Sequence, residues 1–285
     1  MQALITEARQ KYHAGLLANG VLTVDANGVP SNADRSSNLS ISIAQGIAKR
    51  LMAKEQVKIG GQTSGAKFEQ LNMEFLEATF PLLQNLRPGN WHIVKLGNRN
   101  SIKTSSFAQY EHLDYLSQLT KGDARLASSI GNDYMVAPDV VVYRETESDE
   151  VINSQKLIVD HTVARFSSIR KNYCSLPILH ASISAKWTMR SDRAQNSRTE
   201  ALGLIRNRKG HLPHIVVVTG EPMPSRIASL ALGTGDIDCV YHFALNELVE
   251  AVNDTHAEDS IEMLNILISG KRLKDISDLP LDLAV

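Results

Sequence analysis

The sequence has two cysteines, an aromatic content of 5% and a net charge of −1 over 285 residues. Each shortage removes a class of protein. Cys174 and Cys239 stand alone, with no CxxC pair and no clustered histidine. That excludes a disulfide framework and a cysteine-held structural zinc, and leaves two buried free thiols as the expectation. His211 and His214 are three apart, but Pro213 between them breaks any shared helical face, so they do not read as a metal pair. No run approaches the roughly 18 consecutive apolar residues of a membrane span. MQALITEARQ lacks the charged-then-apolar order of a signal peptide, and a cytoplasmic protein is expected. Thirty Lys and Arg against thirty-one Asp and Glu give no bulk basic character. Binding of a polyanion then requires cations concentrated in one place and balanced elsewhere.

What is present is ordinary for a folded chain, 43% hydrophobic and 21% charged, with no internal repeat and no long linker. The first part predicts helices over Ile5–Leu17, Leu39–Leu51 and Ala66–Leu86. The third is capped by Thr63 or Ser64 and carries Phe68, Leu71, Phe75 and Leu82 at near-helical intervals. Between the first two, VDANGVPSNADRSSN is too polar to bury much and predicts an exposed loop or arm. A further helix is expected from Ser106 to about Leu126. The second half changes character. Strands are expected at Tyr134–Tyr143, Lys156–Val163, Ile178–Met189, Pro213–Thr219 and Asp238–Phe243. Helices at Asp192–Arg206, Pro224–Leu232, Leu245–Val252 and Ser260–Ile268 alternate with them. The alternation predicts an α/β or mixed α+β core with a central sheet flanked by helices. The acidic segment Glu145–Asp149 reads as a solvated turn between two strands.

One strand carries candidate chemistry. In ILHASISAKWTM, from Ile178 to Met189, every second residue is apolar while His180, Ser182, Ser184, Lys186 and Thr188 are polar. Period two over this length predicts a strand with one buried face, and it places Ser184 and Lys186 side by side on the other. A lysine there is ordinarily just solvated. Three acids change the weighing. Asp139 follows Pro138 and opens the run Val140-Val141-Val142, Glu200 lies in the helix after the lysine strand, and Glu69 lies on an early helix. An Asp and a Lys on adjacent strands, with acids arriving from helices, can bind hard divalent cations while the lysine orients a water or stabilises phosphate charge. This is the equipment of a metal-dependent phosphodiesterase, although each acid taken singly reads as a surface carboxylate.

Pro138-Asp139 followed by Ser184-Ala185-Lys186 resembles the PD-(D/E)xK nuclease motif, with serine where the second acid normally stands. In the CCGG-recognising (type IIF) type II restriction endonucleases that acid comes from the next helix, and Glu200, fourteen residues after Lys186, occupies that position. HASISAKWTMRSDRAQNSRTE, LIRNRKGHLPHIVVVT, IASLALGTGDIDCVYHFAL and the ending GKRLKDISDLPLDLAV resemble the NgoMIV-type enzymes of that branch, as do VPSNAD and GQTSG. The likeness covers nearly the whole chain and weakens over Asn98–Leu126 and Glu145–Cys174. Ala185 stands where these enzymes carry a cysteine, a change of little consequence if the position offers a metal only its backbone carbonyl.

Cations are indeed concentrated. Lys186 to Lys209 holds seven Lys and Arg against Asp192 and Glu200, a local excess of +5 in twenty-four residues. Within it, Arg190-Ser191-Asp192-Arg193 lies at a strand-to-helix junction. Arginine bonds bidentately to guanine and aspartate accepts from cytosine N4, which suits a G·C-rich target. Ser191 or Asp192 reads equally as an ordinary N-cap. The resemblance implies that this element reads a CCGG core, that Arg226 with Asp34 and Ser36 reads an outer G·C pair, and that Gln62 touches the minor groove. Without it, Arg226 is a surface residue at a helix start and Asp34 a turn former.

By resemblance, residues 1–285 form a single restriction-endonuclease-like domain with a helical amino-terminal part and a DNA-contacting arm at about 20–40. The implied reaction is Mg2+-dependent hydrolysis of both strands of duplex DNA at palindromic GCCGGC. The cut falls after the first G and leaves four-base 5′ overhangs, with no covalent enzyme intermediate. Two magnesium ions per site are implied, held by Asp139, Glu200, Glu69 and the Ala185 carbonyl. Lys186 would position the attacking water, and Ser184 would hold Lys186 or that water. A palindrome suits a two-fold dimer. Relatives of this branch imply a homotetramer of two dimers, and a host would need a companion methyltransferase. Two alternatives stand beside this reading: a structure-specific nuclease of the same fold, and a sequence-specific DNA-binding protein that cuts nothing.

Overall fold

The computed structural model describes residues 2–55, 60–96, 103–130, 138–189, 191–233 and 235–285, with the backbone alone at 127, 130 and 191–194. α1 (Leu4–Ala18) buries Ala8, Tyr12 and Leu16 at four-residue intervals on one face. α2 (Asn38–Arg50) buries Ile43, Ala44 and Ile47, and the Ser37 hydroxyl caps it by accepting the Ser40 N–H. α3 (Gly61–Glu77) buries Phe68, Leu71 and Phe75 but departs from expectation at both ends. It begins after Gly60, so Thr63 and Ser64 lie inside its first turn and neither caps it. It stops at Glu77, and Pro81, which has no N–H to donate, sits in a 3-10 turn over Phe80–Leu83 that leaves Leu82 exposed.

The polar segment joining α1 to α2 is less exposed than its composition predicts. Val21, Leu22, Ser31 and Asn32 are buried, and Val24 bridges both Pro30 and Glu55. Asp25 folds the tip back by accepting the Asn27 and Val29 N–H groups at 2.9 Å each, with Gly28 at a φ of 75°. What stays exposed is the tip, Ala26 and Asn27, and the pair Arg35 and Ser36.

Where one helix is expected from Ser106 to Leu126, the chain is broken. After β1 (Trp91–Lys95), a strand the sequence does not announce, 3-10 turns cover Thr104–Ser106 and Ala108–Tyr110 before α4 (His112–Gly122) and α5 (Ala124–Ile130). The Gln109 side chain supplies the reason. It accepts the Leu179 N–H at 3.0 Å and donates to the Leu179 carbonyl at 2.7 Å, completing the backbone bonds of a sheet residue. The remaining elements are β2 (Val140–Arg144), α6 (Asp149–Ile152), β3 (Ile178–Lys186), α7 (Ser191–Asn207), β4 (His214–Thr219), α8 (Pro224–Ala231), β5 (Cys239–His242), α9 (Leu245–Asp254), α10 (Glu258–Ser269), β6 (Leu273–Asp275) and α11 (Leu279–Asp282).

These strands form one mixed sheet in the order β1-β2-β3-β4-β5-β6. β1, β2 and β3 are antiparallel neighbours, whereas β3 through β6 run parallel. This is the mixed α/β architecture the alternation predicts. The expected strand Tyr134–Tyr143 appears as β2, and 134–137 lie outside the described residues. β3 differs from expectation in an informative way: Leu179 through Ala185 are all buried, on both faces. A strand at the centre of a sheet is covered twice. Its polar set is accommodated rather than solvated. His180 bonds the Leu283 carbonyl at 2.7 Å and lies against Trp91, Phe80 and His214.

Two further expectations fail in the stretch between β2 and β3. Lys156–Val163 forms no strand, because the Asn153 side chain accepts the Ile158 and Val159 N–H groups and donates to the Val159 carbonyl, satisfying locally what a strand would pair. Glu145–Asp149 is no solvated turn between strands. Glu147 pairs with Arg144 at 2.8 Å, and Asp149 opens α6 and grips the buried Arg170 through both carboxylate oxygens. Cys239 is buried in β5 and Cys174 is half-buried; both are free thiols. Among the described residues no helix is long and apolar enough to cross a membrane.

Trp187, just past β3, fixes how the end of the sheet packs. Its ring meets Phe68 of α3 and Phe243, and its indole N–H reaches the Ser31 hydroxyl at 3.3 Å. A Cβ on Gly220 would overlap that ring and stand 2.8 Å from the Trp187 carbonyl oxygen. Gly220→Ala is therefore expected to destabilise the protein by roughly 1–3 kcal/mol, the usual cost of overpacking. The urea unfolding midpoint measures this, and an unchanged midpoint would contradict the packing described.

Candidate active site

The site is assembled where antiparallel pairing brings the start of β2 beside the end of β3. Val140 stands opposite Ile183, so Asp139, one residue earlier, meets Ala185 and Lys186. Its Oδ2 accepts the Ala185 N–H at 2.8 Å and the Lys186 Nζ at 2.9 Å. The Asp139 carbonyl accepts the Leu96 N–H at 3.0 Å just beyond β1, which fixes this carboxylate from the other side. In a strand the N–H and C=O of one residue leave the same edge, so the Ala185 carbonyl also faces the side of Asp139.

Helices bring the remaining acids. Glu200 projects from α7 towards Lys186 and Asp139. Burial raises its carboxyl above the ordinary glutamate value, the Lys186 ammonium pulls it down and the Asp139 charge pushes it up again. The Ser184 hydroxyl bonds Glu200 and stands 3.2 Å from the Ser197 hydroxyl. Glu69 comes from α3 and pairs with Lys95 of β1 at 2.7 Å.

Lys186, Ala185, Glu200 and Glu69 line a cavity of about 460 Å³ whose other walls include Asn32, Asp34, Gln62, Asn196 and Arg226. Asp34 and Arg226 form an ion pair across it. The Ser36 N–H and hydroxyl also bond Asp34, at 3.0 and 2.8 Å. The Ser36 backbone first, and then the Arg226 guanidinium, hold the Asp34 carboxyl well below the usual carboxylate range. Residues that lie far apart in sequence thus share one pocket. Arg190 lies outside the described residues, and Ser191, Asp192 and Arg193 are described by backbone alone, as the first three residues of α7. Of the cations grouped between 186 and 209, Arg198 is committed to the protein itself, bonding the Ser229 carbonyl at 2.9 Å.

The sequence model of the NgoMIV restriction enzyme family matches residues 12–285. The chain is 49% identical over 287 residues to the type II restriction enzyme NgoMIV of Neisseria gonorrhoeae, covering 100% of both chains. It belongs to the NgoMIV restriction enzyme family. As a member, it is a type II restriction endonuclease, a site-specific deoxyribonuclease. Among solved structures it is similar to the Bse634I restriction endonuclease, at 14% identity and a TM-score of 0.39 over 87% of this chain and 91% of that one. It is also similar to PspGI in a complex with substrate DNA, at 12% identity and a TM-score of 0.26 over 98% and 90% of the two chains.

For this NgoMIV-family chain, the donor set suits a hard divalent cation. Asp139 and Glu200 bring carboxylate oxygens to one place, the Ala185 carbonyl faces the same side, and the mutual repulsion of the two acids is a charge a cation would relieve. Among the described residues no three His, Cys, Asp or Glu cluster closely enough to hold one ion, and Glu69 lines the same pocket as Glu200 while paired with Lys95.

Two residues of the site escaped sequence reasoning. Lys95 ends β1, a strand with no clear apolar run, stands opposite Val140, and tethers Glu69 and the Ala66 carbonyl. Glu221, in a loop with no motif, is 1% exposed and accepts the Met189 N–H at 2.8 Å and the Met223 N–H at 3.2 Å. Burial pushes its carboxyl from 4.5 up to about 7. An acid raised in this way keeps its proton longer folded than unfolded. Its contribution to stability therefore falls as pH rises from near 4.5 to about 7 and is flat above that. Relative to Glu221→Gln, the parent protein is expected to lose on the order of 3 kcal/mol across that window. Urea midpoints of both proteins at intervals from acid to neutral pH test this, and parallel curves would sink it.

Proposed function

We propose that this enzyme cleaves duplex DNA at GCCGGC in a magnesium-dependent reaction, cutting both strands after the first G to leave four-base CCGG overhangs with 5′ phosphates. The observation that carries the reading is the convergence of Asp139, Lys186 and Glu200 at the rim of a pocket that also holds Asp34, Arg226 and Gln62. Asp139, Glu200 and the Ala185 carbonyl would hold magnesium, with Glu69 available through a water. The chemistry supplied by one or two bound ions is Lewis-acid activation of water and neutralisation of charge at the phosphate.

The chain's own groups do the rest. Lys186 donates from a fixed position, because Asp139 anchors its ammonium, and so can orient the attacking water against the scissile phosphate. Ser184 holds the Glu200 carboxyl in place. Arg190, Ser191, Asp192 and Arg193 read the CCGG core, and Arg226 with Asp34 and Ser36 reads the outer pair. Gln62, in the first turn of α3 and on the pocket wall, approaches from the minor-groove side. The arm at about 20–40 belongs to one domain spanning 1–285 and delivers Asp34 and Ser36. We place the enzyme in the cytoplasm, with its host's own sites protected by methylation.

We further propose a homotetramer built from two DNA-reading dimers. Phe166, Leu157 and Ile158 are 99, 76 and 63% exposed in the stretch between β2 and β3, and large exposed apolar side chains there suit a subunit interface.

Plasmids of known sequence digested with magnesium, and the cut ends then sequenced, test reaction, site and cleavage position together. Discrete fragments ending in 5′-CCGG are expected. Nicking without discrete fragments would favour a structure-specific nuclease. Lys186→Ala and Asp139→Ala are each expected to lower the cleavage rate by at least about 100-fold, within the range for a positioned proton-handling group, while still binding the site in calcium. Unchanged cleavage in either would remove it from the mechanism. Sedimentation is expected to give about four times the 31.3 kDa chain mass, and a combined Phe166→Ser and Leu157→Ser substitution to give the dimer. A dimeric parent protein would defeat the tetramer.

A further inference from the structure

We propose that Glu221 is a positioning residue that ties the outer base-pair reader to the inner one and to the strand carrying Lys186. The inference rests on reading Asp34 with Arg226, and the Arg190–Arg193 element, as the two base readers. Its geometric basis is independent of that reading.

The Glu221 carboxylate is a buried fork with one tine on each element. Oε2 accepts the N–H of Met189, the residue directly before Arg190, at 2.8 Å. Oε1 accepts the N–H of Met223 at 3.2 Å, and Met223 is the N-cap of α8, whose first turn carries Arg226. The same Oε1 stands 3.9 Å from the Arg226 guanidinium, which also holds Asp34. Behind the carboxylate, the Glu221 N–H donates to the Thr219 hydroxyl at 3.1 Å, and that hydroxyl donates to the Lys186 carbonyl at 2.8 Å. Gly220 adds a second bond to the same carbonyl at 3.2 Å. Glu221 therefore joins an ion contact with Arg226 to hydrogen bonds at both ends of the segment 186–189, its carboxylate holding Met189 and its N–H, through the Thr219 hydroxyl, holding Lys186.

The two N–H groups, one from each loop, meet separate oxygens, which a carboxylate offers and a glutamine amide, with one acceptor end and one donor end, does not. Burying that carboxyl is costly, and beyond the fork its charge faces Arg226. When Arg226 turns to a guanine edge, Asp34 is drawn with it or released, and Glu221 is the carboxylate that keeps the guanidinium oriented from behind. A shift of Arg226 then pulls on the oxygens that hold Met189 and Met223. Correct outer-pair contact is thereby registered at the inner reader and at the Lys186 backbone.

The test compares cleavage of two duplexes, GCCGGC and ACCGGT, by the parent, Glu221→Gln, Arg226→Ala and the double variant, with kcat and KM separated. Glu221→Gln is expected to reduce the preference for GCCGGC at least about tenfold, with kcat falling more than KM rises. The double variant is expected to be no worse than Arg226→Ala alone, because the two residues act through one contact. A preference unchanged by Glu221→Gln overturns the proposal, as do losses that multiply in the double variant. If Glu221→Gln does not fold, Glu221→Asp, which keeps the charge and shortens the reach, takes its place in the same cycle. A parent enzyme that does not distinguish the two duplexes refutes the assignment of the outer reader. The cycle on whichever duplex is cut then decides the role of Glu221 separately.

Discussion

One carboxylate oxygen, Oδ2 of Asp139, holds both the Ala185 N–H and the Lys186 ammonium, and the arrangement of the pocket follows from it. Where β2 has not yet begun, Ala185 lacks the ladder partner that β2 gives the rest of β3, and the aspartate supplies the missing acceptor. A bond to a charged group is worth about 1.5–3 kcal/mol, so the pair of contacts fixes the lysine against its own rotamer freedom. The sheet makes this possible. β3 is the strand at which the sheet changes from antiparallel to parallel, so its end meets the beginning of β2 on one side and the ends of β4 and β5 on the other.

The parallel side is where the base-reading candidates gather. The ends of β3 and β4 lie in register, with Lys186 opposite Thr219, and the chain leaves them in two adjacent loops. One enters α7 with the Arg190–Arg193 element and the other enters α8 with Arg226. Side chains that differ in sequence position by dozens of residues are thus carried on neighbouring exits of one rigid edge. Trp187 wedges that edge against Phe68 of α3 and Phe243, while Ser31 and Asn32 pin the amino-terminal segment to Trp187 and Gly220. Asp34 reaches Arg226 because those two pins come first.

What was legible in the sequence depended on whether a signal is local. β2, β4 and β5 show as apolar runs and α7 to α10 as periodic segments, since burial on a sheet or helix face writes itself into spacing. β1 and β6, the edge strands WHIVK and LKD, mix polar and apolar residues and show neither an apolar run nor a sustained alternation. The alternation in β3 predicts one buried face and one wet face. It is in fact central, and its polar residues are satisfied by the Leu283 carbonyl, by Ser197 and by Glu200, none of which a period can reveal. The same divide runs through the site. Asp139 and Lys186 are legible because adjacent-strand chemistry leaves a motif in each strand. Lys95 and Glu221 are not, because each acts through a partner that only tertiary pairing brings near.

The near-neutral chain keeps a share of its charges in internal pairs. Arg9 binds Glu247 and Asp275, Arg170 binds Asp149, and Arg198 is held by carbonyls and lies 3.7 Å from Asp236. Such pairs cannot offer their charge to a phosphate without breaking, so the local excess of cations between 186 and 209 overstates the positive field available to DNA. The pocket adds Asp139, Glu200 and Glu69 against Lys186 and Lys95, which leaves it short of positive charge. A phosphate backbone approaching that rim meets like charge unless a cation arrives with it.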